Sequence, residues 1–494
     1  MNILFVASEV APFAKSGGLG DVSAALPRAL RAASLQGGRS NDVRVVMPFY
    51  PRVLAKGRTF ELVIREASVM LGSKEVRFSV LACPLPGTDV PVYFVRCPGL
   101  YGRPSIYTQD ADEHLRFAFL SHAALVIAQR LGFSPDIVHA NDWQTALLPL
   151  LLKTVYAWDR LFAKTRSVLT IHNIGHQGTF GAHVLPDTGL GGAAGNLHQE
   201  HLREGRINFL LTGILYANAI TTVSPTYARE IQRPEHGVGL DPFLRDRADV
   251  LFGILNGVDD GDWNPETDIH LPARYSAESL EGKELCKREL LRSARLPYAE
   301  DVPVVGVVSR LVWQKGFDLC TGVLPRLLAS RAVQLLVLGT GEPKYESLFS
   351  DLGRKFPRQV VHRADFSEPL AHLVEAGSDF FLMPSRYEPC GLNQMYSLRY
   401  GTPPIVHRTG GLADTVSHYD PRSGTGTGFV FDHFDEGGLT FGLVSALAAW
   451  GTGRGTSRAT FRLLQKRGMK QRFGWTERAA DYERVYRKIA PHAG

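Results

Sequence analysis

Cysteine is scarce in this chain: five residues in 494, at Cys83, Cys97, Cys286, Cys320 and Cys390, and none forms a Cys-x-x-Cys pair. Neither a thiolate zinc site nor a disulfide framework is therefore expected. No window approaches the roughly 20 consecutive apolar residues that a membrane-spanning helix requires, so no membrane partner is expected. The start, Met1-Asn-Ile-Leu-Phe-Val-Ala-Ser8, has no basic region followed by a long apolar stretch. It reads as a strand, which predicts a cytoplasmic protein without a leader. Also absent is a Gly-x-Gly-x-x-Gly fingerprint after that strand, which removes a Rossmann oxidoreductase. The net charge is +6, yet Lys and Arg are spread along the chain with no basic block interleaved with aromatics. Nucleic acid is not an expected partner.

What is present is the balance of a globular protein, with 44% hydrophobic and 21% charged residues and length for two or three domains. Short apolar, β-branched runs alternate with longer helical patterns, which argues for parallel sheets flanked by helices. In the first half the strand candidates are 3–7, 43–47, 92–95, 137–139, 167–171 and 219–223. In the second they are 304–309, 334–338, 360–362, 380–383 and 404–406. Between the halves, Asn256-Gly-Val-Asp-Asp-Gly-Asp-Trp-Asn-Pro265 is dense in turn formers, and a polar helix follows near 278–294. The expected division is residues 1–256, joined by a last helix from Thr476, and residues 257–475. That helix places Ala479, Tyr482, Val485, Tyr486 and Ile489 on one apolar face. Both halves open as strand, basic loop and helix, with the helices expected from about Asp21 and Phe317. The fold class read from this is α/β, two doubly wound parallel-sheet domains. Ligands of such sheets sit beyond the carboxyl ends of the strands, so a cleft between the domains is expected to hold an anion.

Five loops carry the chemistry. Lys15-Ser-Gly-Gly-Leu-Gly-Asp21 combines a cation with glycines that let backbone amides approach an anion at a helix start, although its order is not that of a P-loop. Ser309-Arg310-Leu-Val-Trp-Gln-Lys315-Gly316 puts a planar fork and a point charge directly after a strand, which suits a diphosphate. Pro384-Ser-Arg-Tyr-Glu388-Pro-Cys390-Gly391-Leu392-Asn393 fixes a carboxylate beside exposed amides. His139-Ala-Asn-Asp142-Trp143 and Thr170-Ile-His172-Asn173 end two strands with polar groups. Alone, each has a plainer reading: a glycine turn, solvated basic residues, a helix-capping carboxylate, a hydrogen-bonded structural histidine. His198, Glu200 and His201 lie in a Gly-rich loop without a matching ligand cluster, so no metal site is read there.

Taken together and in order, these stretches resemble the bacterial glycogen synthase and plant starch synthase family, almost from end to end. Val223-Ser-Pro-Thr-Tyr-Ala-Arg-Glu-Ile, Ile254-Leu-Asn-Gly-Val-Asp and Arg408-Thr-Gly-Gly-Leu-Ala-Asp-Thr-Val belong to the same set. The resemblance implies a GT-B fold, two Rossmann-like domains facing across a deep cleft, with the C-terminal helix returning to the first. It implies a retaining transfer of glucose from ADP-glucose to the non-reducing end of an α-1,4-glucan such as glycogen, with no metal and no other cofactor. By the same resemblance Lys15, Gly17, Gly18, Arg310, Lys315, Gly391 and Leu392 meet the diphosphate. Asp142, His172, Asn173, Asn256, Glu388 and Cys390 meet the glucose. His172 would stabilise the anomeric centre through its backbone carbonyl, and Glu388 would orient the sugar or, alternatively, attack it. Phe366 stands where relatives have a Tyr for stacking adenine, Leu211 where they often have Lys, and Tyr396 where the wider group of retaining transferases has a second Glu. Retaining GT-B transferases of other donors or acceptors, and a non-catalytic glucan-binding relative, remain the alternative readings.

Overall fold

The computed structural model describes residues 1–33, 41–54, 57–259, 261–365, 367–451 and 458–491. The chain forms two compact units: Met1–Gly257 with Trp475–Gly494, and Val258–Gly474. Among the described residues, no helix is long and apolar enough to cross a membrane.

The strands of the first unit are β1 (Asn2–Val6), β2 (Asp42–Pro48), β3 (Glu61–Leu71), β4 (Lys74–Pro84), β5 (Pro91–Arg96), β6 (Ile137–Asn141), β7 (Arg166–Ile171), β8 (Thr179–Gly181), β9 (Arg206–Asn208), β10 (Ala219–Thr222) and β11 (Leu251–Gly253). Nine of them form one sheet in the order β11-β10-β7-β6-β1-β2-β5-β4-β3, while β8 and β9 make a separate ribbon. Only the β3–β4 and β4–β5 pairs of the large sheet are antiparallel. β1 lies between β2 and β6, so connections leave it in both directions. That makes the carboxyl ends of β1 and β6 a topological switch, where such sheets bind ligands. The first helix, α1 (Gly18–Ala32), begins at the glycines rather than near Asp21.

The C-terminal helix, Trp475–Ile489, buries Ala479, Tyr482, Val485 and Tyr486 within this unit. The Tyr486 hydroxyl lies 2.6 Å from His139 Nδ1, and Glu483 Oε1 accepts from Asn41 Nδ2 at 2.6 Å. An apolar stripe at helical spacing supplies the burial, and the two polar contacts fix its register.

Among the described residues the second unit has six strands, β12 (Val304–Val308), β13 (Gln334–Leu338), β14 (Val360–Arg363), β15 (Phe380–Met383), β16 (Pro404–His407) and β17 (Phe429–Phe431). All pair in parallel, in the order β14-β13-β12-β15-β16-β17. Alternate residues feed two cores, one on each face. Val305, Val307, Leu335 and Val337 go to one, while Val304, Leu336, Phe381 and Val406 go to the other. Burial on both faces explains why these strands read as continuous apolar runs. The switch point lies between β12 and β15.

Candidate active site

Two loops leave the switch point of the second unit. The one after β12 carries Arg310 and Lys315, and the one after β15 carries Glu388. They are tied together at several points: Arg386 N–H donates to the Gln314 carbonyl at 2.9 Å, and Gln314 Nε2 to the Tyr387 carbonyl at 3.3 Å. Arg386 also stacks over Trp313 and Phe434 and pairs with Asp318. At the centre, Lys315 Nζ meets Glu388 Oε2 at 2.6 Å, and the same oxygen accepts from Ser385 Oγ at 2.9 Å. The carboxylate is almost fully buried and the ammonium largely so. Arg310, by contrast, is exposed, and among the described residues its guanidinium has no hydrogen-bond or ion-pair partner.

Two glycines permit this packing. Gly316 has φ +70°, and a Cβ there would lie 2.0 Å from the Pro384 carbonyl oxygen. Gly410 has φ +43°, and its Cβ would lie 1.9 Å from the Glu388 carbonyl oxygen. Gly316→Ala is therefore expected to lower the melting temperature and to displace Lys315 from Glu388, through both backbone strain and the clash. Thermal unfolding and a turnover assay check it; wild-type values in both would show that the loop tolerates the shift. Gly391 and Leu392 immediately precede the helix α2 (Asn393–Arg399), and Asn393 Nδ2 donates to the Val308 carbonyl at 2.7 Å, tying that helix to the end of β12. Cys390 is buried on the same loop. The helix α3 (Gly410–Thr415) closes the arrangement, its Gly411 N–H donating to the Glu388 and Pro389 carbonyls at 3.1 and 3.2 Å.

The first unit presents its own polar cluster at the ends of β1, β6 and β7. Lys15 Nζ bonds Asp21 Oδ1 at 2.7 Å, an exposed pair of little stabilising value. The neighbouring Ser16 and Gly17 amides turn toward Glu9, a residue the motif reading passed over. Gly18 starts α1. After β6, Asp142 adopts φ +54° with ψ −173°, a region almost reserved for glycine. The distortion aims its carboxylate at the next loop, where Oδ1 accepts the His172 N–H at 2.7 Å. His172 Nε2 bonds Asn141 Oδ1 at 3.0 Å, and Asn173 Oδ1 accepts from Gly175 N–H at 3.0 Å. Asn256 is buried, and among the described residues its Oδ1 has no hydrogen-bond partner. Phe366 lies outside the described residues.

Residues 2–246 match the family model of the starch synthase catalytic domain, and residues 292–447 that of the glycosyl transferases group 1. A glycogen synthase of an Anaeromyxobacter species is 46% identical over 99% of this chain and 100% of its own. The glycogen synthase of Myxococcus xanthus is 45% identical over 99% of each chain. The chain belongs to the glycogen and starch synthase family. The solved catalytic domain of starch synthase IV from Arabidopsis thaliana, described as bound to ADP and acarbose, superimposes with a TM-score of 0.89 at 34% identity, covering 99% of both chains. The chain is thus a glycosyltransferase of the glycogen synthase type, and its two Rossmann-like units are those of the GT-B fold.

Tyr396, which differs from the wider group of retaining transferases but agrees with the glycogen synthase branch, and Leu211 both have structural explanations. Tyr396, in α2, stacks face to face on Trp263 at 4.1 Å, so a packed aromatic occupies that position. Leu211 is buried on the helix Phe209–Tyr216 and joins the core rather than any polar contact.

Electrostatics separate two neighbouring groups of this glycogen synthase fold. Burial pulls the His172 pKa down to about 3, so the imidazole is neutral at any working pH and is no proton donor at pH 7. Asp142 moves the other way: burial raises it from 3.8 to about 7, although the His172 and Asn173 amides oppose the shift. A carboxyl whose folded pKa is raised holds its proton in the native state while the unfolded chain releases it. Wild-type stability is therefore predicted to fall as pH rises from about 4 to about 7 on this group's account. Asp142→Asn removes that dependence, so the variant's melting temperature, relative to wild type, should climb across the same window and then level. A difference that stays flat with pH would show that the carboxyl is ionised throughout.

Proposed function

We propose that the chain transfers glucose from ADP-glucose, with retention of configuration, to the 4-hydroxyl at the non-reducing end of an α-1,4-glucan, glycogen in the cell, and releases ADP. The observation that carries this reading is the cationic pair of loop residues at the switch point of the second unit: Lys315, held by Glu388, and Arg310, exposed and, among the described residues, without a side-chain partner. As the bond from C1 to the phosphate oxygen breaks, charge grows on the diphosphate, and fixed cations stabilise that growth more than they stabilise the bound donor. Lys15 and the amides at the start of α1 add to the same charge, with Gly391 and Leu392 contributing from the second unit.

Glu388 is assigned to orienting the glucose rather than attacking it. Its Oε2 already accepts from Lys315 and Ser385, which lowers its nucleophilicity. The acceptor oxygen then bonds to C1 on the face the diphosphate leaves, and the acceptor proton passes to the departing phosphate oxygen. The His172 carbonyl faces the positive anomeric centre, while Asp142, Asn173, Asn256 and Cys390 complete the sugar contacts. No metal or other cofactor enters this scheme, and a cytoplasmic location fits both substrates. The test is a product assay with ADP-glucose or UDP-glucose and a glucan primer, in buffer with and without EDTA. Glucan elongation that requires ADP-glucose and ignores EDTA is expected. Preference for UDP-glucose would overturn the donor, and loss of activity with EDTA would overturn the charge assignment.

A further inference from the structure

Glu9 lies three residues beyond the end of β1 and is only 2% exposed. A buried carboxylate beside a loop that takes a diphosphate is costly twice over, through lost hydration and through repulsion of the ligand. Its placement therefore needs compensating donors and a reason. The donors are four, two on each oxygen. Oε2 accepts the Ser16 N–H, in a short contact, and the Gly17 N–H at 3.3 Å. Oε1 accepts the Ser16 hydroxyl at 2.6 Å and the Tyr107 hydroxyl at 2.5 Å. Tyr107 is itself held by the Ser8 hydroxyl at 2.8 Å, and the Ser8 carbonyl accepts from the Tyr50 hydroxyl at 3.0 Å.

Three of the four donors belong to the two residues that follow Lys15. The carboxylate thus acts as a staple across the turn between β1 and α1, and it consumes the amides of Ser16 and Gly17. What it leaves available at the start of α1 are the amides of Gly18 and Leu19, since Gly20 N–H donates to the Gly17 carbonyl at 3.2 Å, and the Lys15 ammonium, whose bond to Asp21 is solvent-exposed and easily exchanged. A glycine-rich turn is floppy on its own. Fixing it before the donor arrives removes an ordering cost from binding and from the transition state.

We propose that Glu9 is a positioning residue for the donor diphosphate, stapling the Lys15–Gly20 turn into its binding shape with Tyr107 locking the second oxygen. The inference rests on the assignment of that turn to the diphosphate. A rival role has the opposite sign: a carboxylate that stands in for the ligand's anion and must be displaced. The two are separated by ADP affinity. Calorimetric titration of ADP into the full-length wild type, Glu9→Ala, Glu9→Gln, Tyr107→Phe and Lys15→Ala proteins would be run beside donor and glucan KM measurements. Positioning predicts ADP binding weakened and donor KM raised about 10- to 100-fold in Glu9→Ala, with glucan KM unchanged. Glu9→Gln, which keeps one acceptor oxygen, recovers part of the loss, and Tyr107→Phe falls between it and wild type. Those two milder variants carry the test if Glu9→Ala does not fold. Unchanged or tighter ADP binding in Glu9→Gln and Tyr107→Phe, with Lys15→Ala impaired, overturns the positioning role alone. Unaltered ADP binding in Lys15→Ala removes the diphosphate assignment and this inference with it.

Discussion

Arg310→Ala is expected to lower kcat about 10²- to 10³-fold while the melting temperature stays that of the wild type. The separation of the two effects comes from what Arg310 does not touch. Its guanidinium is exposed and, among the described residues, bonds to no side chain or carbonyl, so the unliganded fold loses nothing when it is removed. What is lost is a fork of donors aimed outward at the carboxyl end of β12, where the parallel order turns. If that fork acts mainly as leaving-group charge grows, kcat falls more than donor KM rises. Arg310→Lys restores charge without the planar fork and should recover only part of the loss. Steady-state kinetics with both variants decide the matter. A rise in donor KM alone, with kcat kept, would reduce Arg310 to ground-state binding, and wild-type kinetics would remove it from the site.

The sheets were legible wherever strands are buried on both faces, because such strands are unbroken apolar runs. Val304–Val308 and Gln334–Leu338 are of this kind. The β3–β4 hairpin escaped notice for the opposite reason. It is antiparallel and lies at the edge of its sheet, and register shifts between Leu62 and Ala67 leave Arg65 and Glu66 exposed in succession, which breaks the period-two pattern. β11 and β17 are three residues each, too short to show a period. The start of α1 was read late because glycine is a poor helix former. At Gly18 the helix begins all the same, since the preceding turn is fixed by Glu9 rather than by propensity.

The candidate site was legible as a set of loops, because conspicuous residues sit directly after apolar strands. How those residues bond was not. Lys315 and Glu388 are 73 positions apart, and only the adjacency of β12 and β15, which the strand order creates, brings them together. Asp142 is set apart by a backbone angle that no spacing encodes. Glu9 was invisible because a lone acidic residue after a strand has no pattern; its meaning lies in the four donors around it.

The Lys315–Glu388 pair should give the largest loss of all, and a loss that does not add. Lys315→Ala leaves a buried carboxylate with Ser385 as its remaining side-chain partner, and Glu388→Ala leaves an ammonium free to leave the site. Each is expected to cut kcat by at least about 10²-fold, the cost of losing one preorganised charged donor or its anchor. The lysine change should also destabilise the fold, by about 1–3 kcal/mol, because an unpaired buried charge costs more than the pair is worth and partial exposure of the ammonium moderates it. Removing both partners relieves that penalty, so the double variant should be more stable than Lys315→Ala and no slower than the worse single. A double-mutant cycle in kcat and in melting temperature measures both couplings. Strictly additive losses would mean that the two side chains act separately, with Lys315 on the phosphate and Glu388 on the sugar. Strong coupling would instead mean that the carboxylate's first task is to hold the lysine where the leaving group will form.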